Sequence, residues 1–216
     1  MASFAQRDAA ARNVLVDAVG DRPVRRVLDV GCGAGQDLLP FLDETMALCV
    51  GIDVASGLGQ IEGGEPLSQR RARFVRATGE RMPFANDSFD VVICRVALPY
   101  MDNKKTIAEV GRILKPGGVF LLKTHRFRFY LEMIWSRSKT LNPKLIAYPL
   151  ICLAAGLWHE LTGRQLQRGF WHGKEIFQTR RFLEREFRRQ GLSIKKLLPD
   201  SNSLAQSQFV EKSLNA

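Results

Sequence analysis

The sequence predicts an α/β fold in which helices cover both faces of a doubly wound, mostly parallel sheet. Five short segments are almost continuously apolar, as strands buried on both faces are, and helical or polar connections separate them. A glycine-rich turn directly follows the first segment. With 216 residues, 45% of them hydrophobic, we expect a single domain over 1–216 that carries one insertion.

The apolar segments predict strands in chain order. We place the first five strands at 25–30, 47–53, 72–77, 89–94 and 118–124. Two later segments, at 192–198 and 207–214, could form two more strands. The connections between several of these strands have helical patterns, which is typical of parallel sheets.

Helices are predicted from periodicity and end signals. The clearest covers 104–114, and the turn 115–118 (KPGG) ends it. Its apolar face consists of Ile107, Val110, Ile113 and Leu114. A second helix over 179–191 has Thr179 as its N-terminal cap and Gly191 at its end. The N-terminal 23 residues are interrupted by charges, so we interpret them as an amphipathic helix and not as a secretion signal.

Cysteine and histidine spacing argues against metal and disulfide chemistry. Cys32, Cys49, Cys94 and Cys152 form no CxxC pair, and the three histidines form no HxxxH or HExxH array. We therefore expect no metal site. Isolated thiols indicate a reducing compartment, so we expect a cytoplasmic location.

Positive charge is concentrated in the C-terminal part of the chain. The net charge is +10. Residues 1–125 hold 16 Lys and Arg against 15 Asp and Glu, a net of +1, whereas residues 126–216 hold 16 against 7, a net of +9. Such a bias can attract nucleic acid, an anionic membrane surface or an acidic small molecule, or it can be a solvated face without a partner.

The glycine-rich turn, VLDVGCGAGQ at 27–36, indicates a ligand that lies close to the backbone. In an open parallel sheet the first strand-to-helix loop approaches the ligand most closely. A dinucleotide site has the pattern GxGxxG, but the sixth place counted from Gly31 is Gln36, so the pattern here is GxGxG. Asp53 ends the second strand, where an acidic side chain commonly binds the ribose hydroxyls of a nucleotide.

Four motifs in order resemble the class I S-adenosylmethionine-dependent methyltransferases, particularly the small-molecule branch that includes quinone-biosynthesis C-methyltransferases. The motifs are VLDVGCGAG, GIDVA, ERMPFANDSFDVVIC and EVGRILKPGG, and the resemblance covers roughly residues 25–124. It implies a Rossmann-like, seven-stranded sheet with an antiparallel last strand. It also implies S-adenosyl-L-methionine as cofactor and S-adenosyl-L-homocysteine as product.

The resemblance implies which residues bind that cofactor. Asp29 would lie near the methionine amino group, Asp53 would bind the ribose hydroxyls and Val54 would contact the adenine. The full implied set is Asp29, Gly31, Cys32, Gly33, Gly35, Asp53, Val54, Thr78, Gly79, Glu80 and Arg95.

The sequence departs from the family at two places. Thr78 stands where the family usually has an aspartate for the adenine amino group, and its hydroxyl can still accept one hydrogen bond. The segment 53–66 contains four glycines, so we expect no long helix there, although the family normally has one.

Methyl transfer depends mainly on holding acceptor and donor together, so it requires few catalytic side chains. A phenol or a carbon acid also needs a general base, whereas an amine or thiolate needs less help. The candidates are His125, just beyond the fifth strand, and Tyr100, beyond the fourth. The alternatives are a histidine packed under the following helix and a tyrosine that is only a pocket wall.

Residues 126–172 form an insertion that we expect to be helical; we call it the helical insertion. Its central run, 145–158, has 14 apolar residues, fewer than the roughly 20 that span a bilayer. Three interpretations stay open: a cap over the acceptor pocket with aromatic walls such as Trp135 and Trp158, a peripheral membrane contact, or a structural subdomain.

Two function hypotheses follow. The first is methyl transfer from S-adenosylmethionine to a small, apolar or aromatic acceptor. The second is a non-catalytic binding or regulatory protein of the same fold, which either has lost catalysis or has kept only cofactor binding. A nucleic-acid methyltransferase is less well supported, because CRVALPYM stands where an NPPY or DPPY motif would follow the fourth strand. We therefore expect no specific nucleic-acid partner.

Overall fold

The structure is a computed structural model that describes residues 14–60, 67–140, 142–166, 169–171, 173–200 and 203–215. Seven strands form one sheet: β1 Arg26–Val30, β2 Leu48–Asp53, β3 Ala72–Arg76, β4 Phe89–Arg95, β5 Leu114–His125, β6 Leu192–Leu198 and β7 Ala205–Lys212. The helices are α1 (14–19), α2 Leu39–Glu44, α3 Asn103–Ile113, α4 Phe127–Ser138, α5 Pro143–Thr162 and α6 Arg180–Arg189.

The sheet has the strand order β3-β2-β1-β4-β5-β7-β6. Strands β1 to β5 pair in parallel, and β7 is antiparallel to both of its neighbours, β5 and β6. This confirms the predicted α/β sheet with an antiparallel last strand. Because the strand order reverses between β1 and β4, the loops that follow these two strands diverge and leave a crevice at the carboxyl edge.

Alternate residues of the central strands face opposite sides of the sheet, and both sides are covered. On β4, Val92 and Cys94 pack with α3 and α6, whereas Val91 and Ile93 pack with α1 and α2. Most side chains of such a strand are therefore apolar. The continuous apolar runs in the sequence therefore predicted the strands correctly.

Strand β5 begins earlier than predicted. Its pairing with β4 starts at Phe89↔Leu114 and resumes at Val91↔Val119, so the residues between Leu114 and Val119 form a bulge within the strand. Gly117 has a φ of +73°, a conformation that glycine adopts without strain. The predicted turn at 115–118 is therefore this bulge.

The predicted ends of the last helix agree with the structure, whereas α3 ends at Ile113, and Leu114, predicted on its apolar face, begins β5. The Thr179 hydroxyl accepts a hydrogen bond from the Phe182 backbone N–H at 3.1 Å and caps α6, and Gly191, with a φ of +66°, follows the end of α6. Residues 54–60 contain no helix, as their glycines predict, and 61–66 lie outside the described residues. Of the predicted N-terminal helix, 14–19 is helical and the rest also lies outside them.

The helical insertion contains the antiparallel pair α4 and α5. The sequence reasoning counted 14 central apolar residues, but α5 has 20 residues with a mean hydropathy of 1.3, so it is long and apolar enough to cross a membrane. Core helices of soluble proteins pass the same test, and 28% of this stretch is buried against the rest of the chain.

Gly156 lets α5 lie directly against the segment that leads to α6. A Cβ at this position would lie 2.3 Å from the backbone carbonyl oxygen of Phe177. The Phe177 N–H in turn donates to the carbonyl of Cys152 at 3.3 Å. Close backbone contact therefore joins the insertion to the sheet domain.

We expect Gly156→Ala to lower the free energy of unfolding by about 1–2 kcal/mol. Overpacking costs about 1–3 kcal/mol, and the better helix propensity of alanine offsets about 1 kcal/mol of that. Urea unfolding measures the difference. The control Ala154→Ser, on the exposed side of the same helix, should stay within about 0.5 kcal/mol of the wild type. A Gly156→Ala protein as stable as the wild type would contradict this packing.

Candidate active site

A cavity of about 360 Å³ lies in the crevice at the carboxyl ends of β1 and β4. One wall comes from the turn after β4, with Ala97, Tyr100 and Met101. The other walls contain six of the residues implied by the resemblance, namely Gly31, Asp53, Val54, Thr78, Gly79 and Glu80. Residues from four loops thus meet in one cavity, which we call the main cavity.

The three glycines of the first loop have different physical roles. A Cβ at Gly31 would lie 2.3 Å from the Cβ of Ala97, and one at Gly35 would lie 2.9 Å from the ring of Phe74. At these two positions the missing side chain makes room for the protein itself. Nothing lies within 4 Å of a Cβ built on Gly33, so a side chain there would contact no protein atom. The implied contact of these glycines with a ligand stays a prediction.

Asp53 joins the glycine loop to the end of β2. Its Oδ2 accepts a hydrogen bond from the Gly33 N–H at 3.0 Å, and its Oδ1 accepts one from the Ala55 N–H at 3.0 Å. Each carboxylate oxygen can accept a further hydrogen bond. Asp53 is therefore held in place and can still bind hydroxyl groups of a ligand in the main cavity.

Negative charge accumulates beneath the loop. Asp29 is only 2% exposed, and its burial together with the nearby Asp37 raises its pKa well above the usual range, while Arg95 partly offsets the rise. Arg95 forms an ion pair with Asp37 at 2.5 Å. Asp53 also raises the pKa of Asp29, and a cationic ligand group beside these carboxylates would favour the ionised form of Asp29.

Two further predicted residues have structural contacts. Glu80 accepts a hydrogen bond from the Asp102 N–H at 2.8 Å, so it anchors the start of α3 as well as lining the main cavity. Cys32 is buried beneath the loop, with its Sγ 2.7 Å from where a Cβ of Gly51 would be. Burial raises the pKa of this thiol, as do Asp29 and Asp53.

The turn after β4 is strained. Val96 has a φ of +62°, a conformation that is rare for a β-branched residue. Its N–H donates to the Lys123 carbonyl at 2.9 Å, which holds the turn against β5. Ala97 follows immediately and contacts Gly31, so this strained turn sets the position of one cavity wall.

The two predicted catalytic residues meet at a third residue, Glu175. Its Oε1 contacts His125 Nδ1 at 2.7 Å and accepts a hydrogen bond from the Tyr130 hydroxyl at 2.5 Å. Its Oε2 accepts one from the Tyr100 hydroxyl at 3.2 Å. Sequence reasoning missed Glu175, because 50 residues separate it from His125 and it matches no motif.

The charge of Glu175 is stabilised by these contacts. The carboxylate is 3% exposed, and burial alone raises its pKa, but the hydrogen bonds from His125, Tyr130 and Tyr100 outweigh burial and leave the pKa below its usual value. Burial and the charge of Glu175 raise the pKa values of Tyr100 and Tyr130. The result is an ionised carboxylate between two neutral tyrosines and an imidazole.

Tyr100 and His125 lie on different cavities. Tyr100 lines the main cavity, whereas His125 lines a second cavity of about 220 Å³ together with Phe127 and Phe177. Glu175 lies between them. Trp135 and Trp158, expected as acceptor-pocket walls, are 70% and 48% exposed and line neither cavity. This part of the expectation is wrong, because both side chains face outward from α4 and α5.

Within the described part of the chain, no group of three or more His, Cys, Asp or Glu side chains is placed to hold a metal ion. Cys32, Cys49, Cys94 and Cys152 are free thiols.

Residues 28–122 match a family model described as a methyltransferase domain. An uncharacterised methyltransferase of Bacillus subtilis, YcgJ, is 40% identical over 112 residues, which are 48% of this chain and 42% of that protein. A demethylmenaquinone methyltransferase of Renibacterium salmoninarum is 37% identical over 113 residues, 50% of this chain and 44% of that protein. The matches thus span less than half the length of these relatives.

Solved structures extend the similarity to the whole fold. The crystal structure of YcgJ aligns with a TM-score of 0.58 at 20% identity, over 94% of this chain and 96% of that chain. Magnesium protoporphyrin IX methyltransferase from Synechocystis PCC 6803, solved with bound SAH, aligns with a TM-score of 0.62 at 16% identity, over 99% of this chain and 89% of that chain.

Residues 28–122 thus resemble a methyltransferase domain, and the chain shares the fold of these solved methyltransferases. The resemblance seen in the sequence motifs is confirmed. All eleven implied cofactor-binding residues, from Asp29 to Arg95, lie inside the matched segment.

The charge of Glu175 should make stability depend on pH in the acid range. Because the pKa of Glu175 lies below its ordinary value of 4.5 in the folded protein, its ionised form contributes stability above pH 4.5 that is lost as the pH falls through the lowered pKa. We expect Glu175→Gln to abolish the part of the acid-dependent loss of stability that Glu175 causes. At neutral pH the same change should lower the free energy of unfolding by about 1–3 kcal/mol.

Urea unfolding at a series of pH values tests this. Tyr130→Phe serves as the partner variant: it removes one hydrogen bond but keeps the carboxylate, so the acid dependence should shrink without vanishing. Equal pH dependence below 4.5 for the wild type and Glu175→Gln would contradict the assignment.

Proposed function

We propose that the protein transfers the methyl group of S-adenosylmethionine to a small, apolar or aromatic acceptor and releases S-adenosylhomocysteine. The observation that carries this proposal is the main cavity, where the glycine loop and Asp53 face Tyr100, which contacts Glu175. Its volume of about 360 Å³ lies in the range of small-molecule sites.

The residues of the main cavity fit the parts of this cofactor. Asp53 has free acceptor capacity for the ribose hydroxyls, and the half-exposed Val54 offers an apolar surface to the adenine. The exposed Thr78 can accept one hydrogen bond from the adenine amino group. Asp29 and its neighbouring carboxylates favour the positive charge of the methionine amino group.

When bound, S-adenosylmethionine supplies an activated methyl group on a sulfonium. The protein then has to hold the acceptor in line, exclude water and, for a phenol or carbon acid, remove a proton. Tyr100 lines the main cavity and donates to Glu175, and His125 contacts the same carboxylate. We assign the acceptor's proton to a relay: Tyr100 takes the proton from the acceptor as it passes its own hydroxyl proton to Glu175, and His125 holds and can share that proton through its contact with Glu175.

The acceptor is determined by the part of the chain outside the matched segment. In the sequence match of 112 residues, this chain is 40% identical to YcgJ. In the structural superposition, which covers 94% of this chain, the identity is 20%. The sequences of the two proteins therefore differ most outside the matched segment, which holds the implied cofactor-binding residues. The demethylmenaquinone methyltransferase, similar over half of this chain, supports an aromatic acceptor as the first class to test.

Cofactor binding is tested by calorimetry with S-adenosylhomocysteine. We expect one site in the wild type, and Asp53→Ala should weaken binding by about 1–3 kcal/mol, because the ribose hydroxyls lose their acceptors. Asp43→Ala is the matched control: that carboxylate lies at the surface beside Arg70, and its loss should leave affinity unchanged. Undetectable binding by the wild type at millimolar ligand would rule out the proposed function.

The general base is tested by methyl incorporation from labelled S-adenosylmethionine into a panel of water-soluble phenols and quinols. His125→Ala and Glu175→Gln should each lower kcat by about 10²–10⁴-fold, with the affinity for S-adenosylhomocysteine nearly unchanged. Trp135→Ala, an exposed aromatic of the same insertion, is the control and should keep the wild-type rate. Cofactor binding without methylation of any acceptor would favour the non-catalytic alternative.

A further inference from the structure

We propose that the helix pair α4 and α5 lies on the surface of an anionic lipid bilayer. The contact would be made by six large apolar side chains, which we call the apolar face: Phe127, Leu131, Trp135, Leu150, Leu157 and Leu161. Each of them is exposed on the outer side of the helix pair.

Helical spacing brings these side chains together. On α4 they recur every four residues, at 127, 131 and 135, and on α5 they lie at 150, 157 and 161. Both patterns describe one stripe along a helix. Leu161 is 75% exposed, and no described part of the chain covers the stripe. An exposed apolar patch of this kind marks an interaction site.

Cations accompany the aromatic side chains around the apolar face. The Lys139 ammonium lies 5.8 Å from the Trp135 ring centroid, and the Arg137 guanidinium carbon lies 5.3 Å from the Tyr148 ring centroid. Residues 126–172 contain seven Lys and Arg against two Glu, a net charge of +5. Apolar and aromatic side chains flanked by cations suit acyl chains beneath anionic head groups, whereas a protein partner would need a matching acidic and apolar surface.

Helix α5 is placed to lie on a bilayer and not to cross it. Its other face is buried against the domain through Cys152, Ala155, Gly156 and His159. The Phe177 N–H donates to the Cys152 carbonyl at 3.3 Å, and Gly156 contacts the same segment. A transmembrane orientation would break these contacts, whereas a surface orientation keeps them and removes only the apolar face from water.

The second cavity opens next to the apolar face. Phe127 belongs to both, and His125 lies on the wall of the second cavity. A lipid-soluble acceptor could thus pass from the bilayer surface to the neighbourhood of Glu175. This consequence rests on the proposed function, whereas membrane docking itself does not.

The test is co-sedimentation of the full chain with vesicles of phosphatidylcholine, with and without phosphatidylglycerol. We expect binding only with the anionic lipid, weakening as salt rises. Trp135→Glu and Leu157→Glu should each lower vesicle partition at least about tenfold. Replacing Lys139 and Lys144 by glutamine should lower it about fivefold for each lysine.

Met46→Glu is the matched control. Met46 is as exposed as any residue of the apolar face. It precedes β2 at the amino ends of the parallel strands, far from the helix pair, so the vesicle partition of this variant should equal that of the wild type. Circular dichroism and S-adenosylhomocysteine affinity, measured on every variant, separate loss of docking from misfolding and from failure of the proposed function.

Three results would overturn the proposal. The first is equal binding to neutral and anionic vesicles, or binding to neither. The second is resistance of vesicle-bound protein to alkaline extraction, which would show that α5 crosses the bilayer. The third is a dimer that Trp135→Glu dissociates, in the absence of vesicle binding, which would assign the apolar face to a second copy of the chain.

Discussion

The close contact between the loop after β1 and the turn after β4 determines the geometry of the site. These loops leave adjacent strands at the point where the strand order reverses, so they face each other across the crevice. Gly31 can approach Ala97 only because it has no Cβ. On the other side of the crevice, Asp53 holds the same loop to the end of β2 through the Gly33 N–H. A side chain at Gly31 would displace both walls of the main cavity together.

A second constraint couples the helical insertion to the site. Glu175 is buried, and a buried carboxylate is costly unless hydrogen bonds satisfy it. Its three partners come from different places: Tyr100 from the turn after β4, His125 from β5 and Tyr130 from α4. If the insertion detached from the sheet, the Glu175 carboxylate would lose its hydrogen bond from Tyr130 and would become exposed to solvent or stay buried without that partner.

The helical insertion has two faces, one packed against the domain and one exposed to solvent. One face is fixed by close backbone contact at Gly156 and by the hydrogen bond between Phe177 and Cys152. The other presents large apolar side chains to solvent. The contacts of the first face hold the helix pair in a defined position on the domain. The second face explains the high hydropathy of α5, which exceeds what its packing on the domain requires.

The sequence by itself determined most of the strands, the glycine loop and the ends of α6, because each depends on residues close together in the chain, whereas the start of β5 depends on its pairing with β4. Continuous apolar runs, the GxGxG spacing and the capping by Thr179 are local signals. Only the tertiary structure revealed Glu175 as the residue that joins His125 to Tyr100, since the contact spans 50 residues. It also placed Trp135 and Trp158 outside, because an aromatic side chain on a helix can face a pocket or solvent, and only the packing of that helix decides which.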